Sequence, residues 1–199
     1  MTVLADVDLV LASTSRYRRE LLSRLTAHFR TLAPQVDEAP LPAEAPAAMA
    51  ARLAQAKAAD VALRSAGAVV IGSDQVADLD GRVLGKPGDA RNAWEQLTAC
   101  SGRQVVFHTA LCLVDGRGDV AHVSAATDVT RVHFHTLDAD AIARYIEREQ
   151  PFDCAGSFKA EALGIALFER IEAHDPTGLI GLPLIALCKL LRDAGITVL

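Results

Sequence analysis

Two runs, Leu9-Val10-Leu11-Ala12 and Ala68-Val69-Val70-Ile71, most restrict how this chain can fold. Each is short and wholly apolar. The first ends in Ser13-Thr14-Ser15, the second in Gly72-Ser73-Asp74-Gln75. An apolar run of this length, bounded by polar residues, reads as a buried strand. The hydroxyls after the first run are helix-capping residues, and Tyr17, Leu21, Leu22 and Leu25 then recur at helical spacing. The alternation continues along the chain. His28 to Ala33 reads as a second strand, and a loop holding Pro34, Pro40, Pro42 and Pro46 precedes an alanine-rich helix from Ala47 to Arg64. Asp80-Gly81 marks a hairpin turn before the return strand Arg82-Val83-Leu84. Asp89 caps a helix through Ala99, and strands follow near Val105 to Val114 and Val120 to Phe134, joined around Gly116 and Gly118. Helices over Ala139 to Glu149 and Pro183 to Ala194 complete the pattern, with Gly195 as a stop. Strands alternating with helices, with hairpins among them, predict the α/β class with a mixed sheet.

No Pro/Gly/Ser-rich linker and no long repeat divides the 199 residues, so one domain spanning 1–199 is expected. A chain of this length buries roughly 70% of its extended surface and needs neither disulfides nor a structural metal to fold. The net charge of −5 argues against a nucleic acid polymer or a membrane surface as partner, yet leaves room for a small anion at a local basic cluster. The most apolar long stretch, Gly178 to Leu191, is too short for a membrane span and is broken by Pro183 and Lys189. Asp6 and Asp8 precede any apolar run, which is not a signal peptide's charge order. Cys100, Cys112, Cys154 and Cys188 form no CxxC pair, and they read as reduced thiols of a cytoplasmic protein.

Four segments carry candidate chemistry. Ser13-Thr14-Ser15-Arg16-Tyr17-Arg18-Arg19 combines hydroxyls, arginines and a strand-to-helix junction, which suits phosphate. The same residues also suit a serine cap on an arginine-faced surface helix. Asp74, emerging at the end of a buried strand, is placed for metal binding or base catalysis, or simply for starting a turn. Gly81 to Pro87 is no Walker motif, since three residues separate its glycines and Pro87 follows the lysine; a hairpin presenting Lys86 fits better. Asp153 to Glu161 places Lys159 and Glu161 on one side of an extended segment beside small residues, or else forms a solvated loop. Only four of the 20 basic residues are lysines, and Lys57, Lys86 and Lys159 lie in or beside these segments. A chain otherwise biased to arginine keeps lysine where a compact ammonium is wanted. Lys189 reads as a surface residue.

Taken together, Leu11-Ala12-Ser13-Thr14-Ser15 with Arg18-Arg19, Val36-Asp37-Glu38, Ala56-Lys57-Ala58, Gly72-Ser73-Asp74-Gln75, Leu84-Gly85-Lys86-Pro87 and Gly181-Leu182-Pro183-Leu184 resemble the Maf family of nucleoside triphosphate pyrophosphatases. The resemblance covers nearly the whole chain. It implies an elongated mixed β-sheet flanked by helices, with two lobes around a nucleotide cleft (the Maf/ITPase-like arrangement), and a homodimer. It also implies hydrolysis of a nucleoside triphosphate to the monophosphate and pyrophosphate with a divalent metal, Mg²⁺ or Mn²⁺. Gly72-Ser73-Asp74-Gln75 and Cys154-Ala155-Gly156-Ser157-Phe158-Lys159 with Glu161 are similar to the 7-methyl-GTP branch rather than the dTTP/UTP branch.

By that resemblance Asp74 is the proton acceptor, and Tyr17, Gln75 and Glu161 occupy specificity positions. Ser13, Ser15, Arg18, Lys57, Lys86 and Lys159 are the expected phosphate-binding residues, and Glu38 and Asp74 the expected metal ligands. The chemistry is compatible with these roles. A 7-methylated guanine is cationic, and stacking on Tyr17 would contribute about 0.5–2 kcal/mol. Glu161 would accept from the guanine N1–H and amino group, whereas a pyrimidine would leave it unpaired at a cost of roughly 1–3 kcal/mol. Two rivals remain: a pyrophosphatase for dTTP, UTP or another modified nucleotide, and a nucleotide-binding regulator of division with weak turnover.

Overall fold

The computed structural model describes residues 2–199. In chain order it forms β1 (Thr2–Val3), β2 (Leu9–Ala12), α1 (Arg16–Leu22), β3 (Arg30–Leu32), α2 (Pro46–Ala62), β4 (Val69–Leu79), β5 (Arg82–Leu84) and α3 (Ala90–Cys100). There follow β6 (Gln104–Asp115), β7 (His122–Phe134), α4 (Ala139–Glu149), β8 (Phe168–Glu172), α5 (Leu184–Asp193) and β9 (Ile196–Thr197). Seven strands make one sheet in the order β3-β2-β4-β6-β7-β8, with β5 also paired to β4. β2 runs parallel to β3 and β4, and all the remaining pairs in this sheet are antiparallel. The sheet is therefore mixed, as the alternation of elements predicts. Parallel neighbours require crossovers, which α1 and α2 supply.

Burial follows the two apolar runs. All four residues of β2 are buried, and so are Val69, Val70 and Ile71 of β4. On one sheet face, Met49, Leu53, Ala54, Ala58 and Val61 of α2 pack on Val10, Val70 and Val76. On the other, Leu21 and Leu22 of α1 and Leu187, Leu190 and Leu191 of α5 cover Leu9, Leu11, Ile71, Leu111 and Leu113. Farther along the sheet α3 and α4 bury Phe107 and Phe134, which meet Phe158 edge-on at ring-centroid distances of 5.3 and 5.6 Å. Edge-to-face packing lets the positive ring rim meet the negative ring face.

The end that holds the candidate site is built by β4. On one edge β4 pairs with β6 continuously from Val69 to Asp78. On the other it pairs first with β2, over Val69–Gly72, and then with β5, over Ala77–Leu79. Residues 73–76 lie between these partners and have no strand beside them on that edge. The Asp80-Gly81 turn that brings β5 back has both residues at positive φ, 51° and 86°, as a type I′ hairpin requires.

Several boundaries differ from the sequence expectation. The first helix stops at Leu22, where a turn takes over with Leu25 N–H bonded to Leu22 O. The second strand is only Arg30–Leu32. The alanine-rich helix starts with Pro46 in its first turn and ends at Ala62. β8 and the β1–β9 pair carry too little apolar signal to be seen without their partners. The cysteines are free, with Cys100 and Cys112 buried and Cys154 and Cys188 partly so; burial pushes the Cys100 thiol up to about 12. Among the described residues no helix is long and apolar enough to cross a membrane.

The α2–β4 contact yields a stability test. A Cβ on Gly72 would lie 2.3 Å from Ala54 O and 2.8 Å from Ala58 Cβ, so the helix backbone rests directly on this glycine. Gly72→Ala is expected to cost about 3 kcal/mol through forced separation of helix and strand, measured by urea unfolding. A midpoint equal to wild type would show that the contact is not tight.

Candidate active site

The bare stretch of β4 opens on a cavity of about 790 Å³, walled by the β2–α1 junction, one flank of α2, the β5 arm and residues 153–155, 158, 160–161 and 179–181. That volume lies within the range of small-molecule sites. Successive strand residues point to opposite sheet faces. Asp74 therefore lies on the α2 face and Gln75 on the face shared with Thr109 and Phe107, yet both line the cavity because it wraps around the free edge.

On the α2 face, Met49, Leu53 and Lys57 line the cavity at i, i+4 and i+8 spacing. Lys57 is buried, and its ammonium meets Asp74 Oδ1 at 2.6 Å and Glu38 Oε1 at 2.6 Å. Two carboxylates thus share one cation, with Asp74 buried and Glu38 mostly exposed at the mouth. Glu38 arrives on the proline loop, which α2 holds from outside. Arg52 donates to both Glu44 oxygens, at 2.6 and 2.7 Å, and to Ala39 O at 3.1 Å. This fork holds the Glu44 carboxyl down at about 2. The clamp was not legible from motif reasoning, although an arginine eight residues after a glutamate across a helix start is a local charge signal.

At the β2–α1 junction, Ser13 Oγ accepts from Ser15 N–H at 3.1 Å, and Ser15 Oγ caps α1 by accepting from Arg18 N–H at 3.4 Å. α1 has only seven residues, so its dipole adds little and the cationic side chains dominate the junction. Arg18 Nε donates to Gly181 O at 2.9 Å, and buried Ser73 donates to the same carbonyl at 3.0 Å. Burial pulls the Arg18 guanidinium below its ordinary value, while Asp74 and Glu38 oppose that shift. Lys86 reaches the cavity from the β5 arm and is exposed. Ser13, Ser15, Arg18, Lys57 and Lys86 are thus brought together around one space.

Lys159 is not. Its ammonium meets Glu149 O at 3.1 Å and Glu149 Oε1 at 3.5 Å, at the end of α4, and does not line the cavity. The expected same-side placement of Lys159 and Glu161 presupposes an extended segment. The chain instead turns over residues 160–162, with Ala162 N–H bonded to Lys159 O at 3.2 Å, and Gly164 packs against the Lys159 backbone. Glu161 alone stays on the cavity wall, with Tyr17, Cys154 and Phe158. Tyr17 already hosts a cation, for the Arg16 guanidinium lies 4.7 Å from its ring centroid and donates to its hydroxyl at 2.9 Å.

Gln75 is held rather than free. Its side-chain nitrogen bonds Thr109 Oγ1 at 2.9 Å and the carbonyls of Gly178 and Leu179, each at 3.0 Å. The 175–183 loop that supplies those carbonyls is organised by buried Asp175, which accepts from Thr177 N–H, Thr177 Oγ1 and Ile185 N–H. The Asp175-Pro176-Thr177-Gly178 turn chemistry was available in the sequence as a signal for this loop.

Asp128 on β7 sits against that loop; a Cβ on Gly178 would fall 2.2 Å from its Oδ2. Burial pushes the Asp128 carboxyl up, and the charge of Asp175 pushes it further. A native value above the unfolded one means that ionised Asp128 weakens the fold at neutral pH, and that this penalty vanishes below the unfolded value of about 3.9. Asp128→Asn is expected to raise the urea midpoint at pH 7 and to give no gain near about pH 3.5. An equal gain at both pH values would contradict the assignment.

Comparison with known proteins places the chain in a family. The model of the family described as "Maf-like protein" matches residues 8–194. The "7-methyl-GTP pyrophosphatase" of Xanthomonas oryzae pv. oryzae (strain MAFF 311018) is 57% identical over 187 residues, covering 94% of this chain and 96% of that one. The protein of the same name from Bordetella pertussis is 54% identical over 188 residues, covering 94% and 92%. Among solved structures, the Staphylococcus aureus Ham1 protein aligns over 94% of this chain and 99% of that chain, with a TM-score of 0.46 and 12% identity. From the family match across residues 8–194 and relatives more than half identical over nearly its whole length, this chain belongs to the Maf family.

Proposed function

We propose that this chain hydrolyses 7-methyl-GTP to 7-methyl-GMP and pyrophosphate. The observation that carries the reading is the meeting, in one cavity, of Asp74 paired to Lys57 at 2.6 Å with a base end formed by Tyr17, Gln75 and Glu161. The names of the relatives support the substrate. The cations support a triphosphate, since Arg18, Lys57 and Lys86 line the same space and would hold the phosphates while charge develops on the departing pyrophosphate.

In this reading water attacks the α-phosphorus in line. A new P–O bond forms, the bond from the α-phosphorus to the α–β bridging oxygen breaks, and that oxygen leaves with pyrophosphate. Asp74 takes the water proton. Lys57, 2.6 Å from Asp74 Oδ1, fixes that carboxylate in place beside the cavity. Exclusion of bulk water at the buried Lys57–Asp74 pair strengthens each of these electrostatic contacts.

The divalent cation that the family resemblance implies fits the donor set of this cavity. Glu38 and Asp74 each use one oxygen for Lys57, and Glu38 Oε2 and Asp74 Oδ2 have no hydrogen-bond partner among the described residues. No group of three or more His, Cys, Asp or Glu side chains gathers among the described residues, so the protein's share is these two carboxylates. That share suits Mg²⁺ or Mn²⁺ carried in with the triphosphate, because such ions bind one or two carboxylates plus substrate oxygens. Bound there, the ion would supply positive charge against the phosphate oxygens. A homodimer in a reducing cytoplasm belongs to the same reading; the free thiols support the reducing setting.

The test is pyrophosphate release with Mg²⁺ or Mn²⁺ from 7-methyl-GTP, GTP, dTTP and UTP side by side, with Asp74→Asn in parallel. The expected result is a clear preference for 7-methyl-GTP and a loss of at least about 10²-fold in the variant. Preference for dTTP or UTP would overturn the base assignment, and unchanged turnover by the variant would remove Asp74 from the chemistry.

A further inference from the structure

The geometry points to Thr109 as a positioning residue that, together with the carbonyls of Gly178 and Leu179, fixes the hydrogen-bond polarity of Gln75, so that the cavity presents an acceptor there and selects bases that offer donors. This inference rests on the functional reading above and deepens it.

The two ends of a glutamine amide differ chemically but hardly in shape, so an unrestrained Gln75 would offer either a donor or an acceptor. In this cavity its surroundings decide. The carbonyls of Gly178 and Leu179 only accept, and both lie 3.0 Å from the same amide atom, which must therefore be the nitrogen. Thr109 closes the remaining freedom. It is buried, and its hydroxyl donates to Gly178 O at 3.0 Å; the proton is spent there, so toward Gln75 this hydroxyl can only accept, at 2.9 Å. Both protons of the amide are thereby used within the protein.

The oxygen is left over. Among the described residues Gln75 Oε1 has no hydrogen-bond partner, and it is not one of the buried atoms without one, which are Ser65 Oγ and Thr197 Oγ1. It is therefore accessible, and Gln75 lines the cavity. Glu161, on the same cavity wall, is a second obligate acceptor when ionised. Two acceptors favour a base edge carrying two donors. Guanine offers N1–H beside its 2-amino group. Uracil and thymine offer one N–H flanked by two carbonyls, which would face these acceptors oxygen to oxygen.

The same strand register explains why Thr109 holds this role. Thr109 stands opposite Gln75 in the β4–β6 ladder, on the same face, so its hydroxyl reaches the amide and the loop carbonyl together. Valine has nearly the same shape but no hydroxyl. In Thr109→Val the amide loses its acceptor partner on β6, and Gly178 O loses a donor.

The test compares Thr109→Val and Thr109→Ser with wild type on 7-methyl-GTP, 7-methyl-ITP and UTP, with circular dichroism and a melting curve on each protein. 7-Methyl-ITP lacks the 2-amino donor. Wild type is expected to lose about tenfold in kcat/KM on passing from 7-methyl-GTP to 7-methyl-ITP. In Thr109→Val the ratio of kcat/KM for 7-methyl-GTP over UTP should fall about tenfold, mainly through KM for 7-methyl-GTP, and Thr109→Ser should restore it. A folded Thr109→Val enzyme with the wild-type ratio overturns the inference while leaving the functional reading intact. Should Thr109→Val not fold, equal use of 7-methyl-GTP and 7-methyl-ITP by wild type overturns it instead. Wild-type preference for UTP overturns both readings together.

Discussion

β4 has more hydrogen-bonding edge than its partners on one side can cover, and the site follows from that mismatch. β2 pairs with it only as far as Gly72, and β5 begins at Ala77. The residues between remain anchored to β6 on the other edge, so they are rigid without being covered. Rigid strand residues beside a gap hold catalytic geometry better than a loop does. The pleat then sends Asp74 and Gln75 to opposite faces, and one cavity reaches both because it passes around the edge. In the proposed function, the division of chemistry and base reading between the two faces would follow from period-2 alternation.

The helices next to that edge are chosen for approach as much as for burial. Small residues on α2 and Gly72 on β4 let the helix backbone come close enough for Lys57 to reach Asp74. A buried ion pair contributes little net stability, and removing one partner commonly costs about 3–5 kcal/mol because the other charge is stranded. The fold therefore gains little from the Lys57–Asp74 pair, and the proposed function gives it a role at the ligand instead. Glu38 reaches the same ammonium from a loop with no strand or helix of its own, which is why α2 also carries the Arg52–Glu44 fork outside the cavity.

Much of this was legible in the sequence where the signal is local. The apolar runs, the Asp89 cap, the Asp80-Gly81 turn and the prolines before α2 each act within a few residues, and each stands where the structure has the corresponding feature. The clustering of Ser13, Arg18, Lys57, Asp74 and Lys86 came from motif resemblance, since nothing local says that segments so far apart share a cavity. What could not be read depends on partners distant in sequence. β8 is an edge strand of mostly exposed residues that exists by pairing with β7. Lys159 turns away because the turn over residues 160–162, closed by Ala162 N–H on Lys159 O, breaks the extended geometry on which an i, i+2 argument relies. Gln75 read as a specificity position, but the bonds that orient it come from Thr109 and the 178–179 carbonyls, more than thirty and a hundred residues away.

If the groups at this edge direct water to the α-phosphorus, the oxygen of that water must end in the monophosphate. Turnover of 7-methyl-GTP in ¹⁸O-labelled water, followed by mass spectrometry of both products, tests this most directly. The expected result is one labelled oxygen in 7-methyl-GMP and none in pyrophosphate. Label in pyrophosphate would mean attack at the β-phosphorus, and Asp74 and Lys57 would then not serve as proton acceptor and its charge partner at the α-phosphorus.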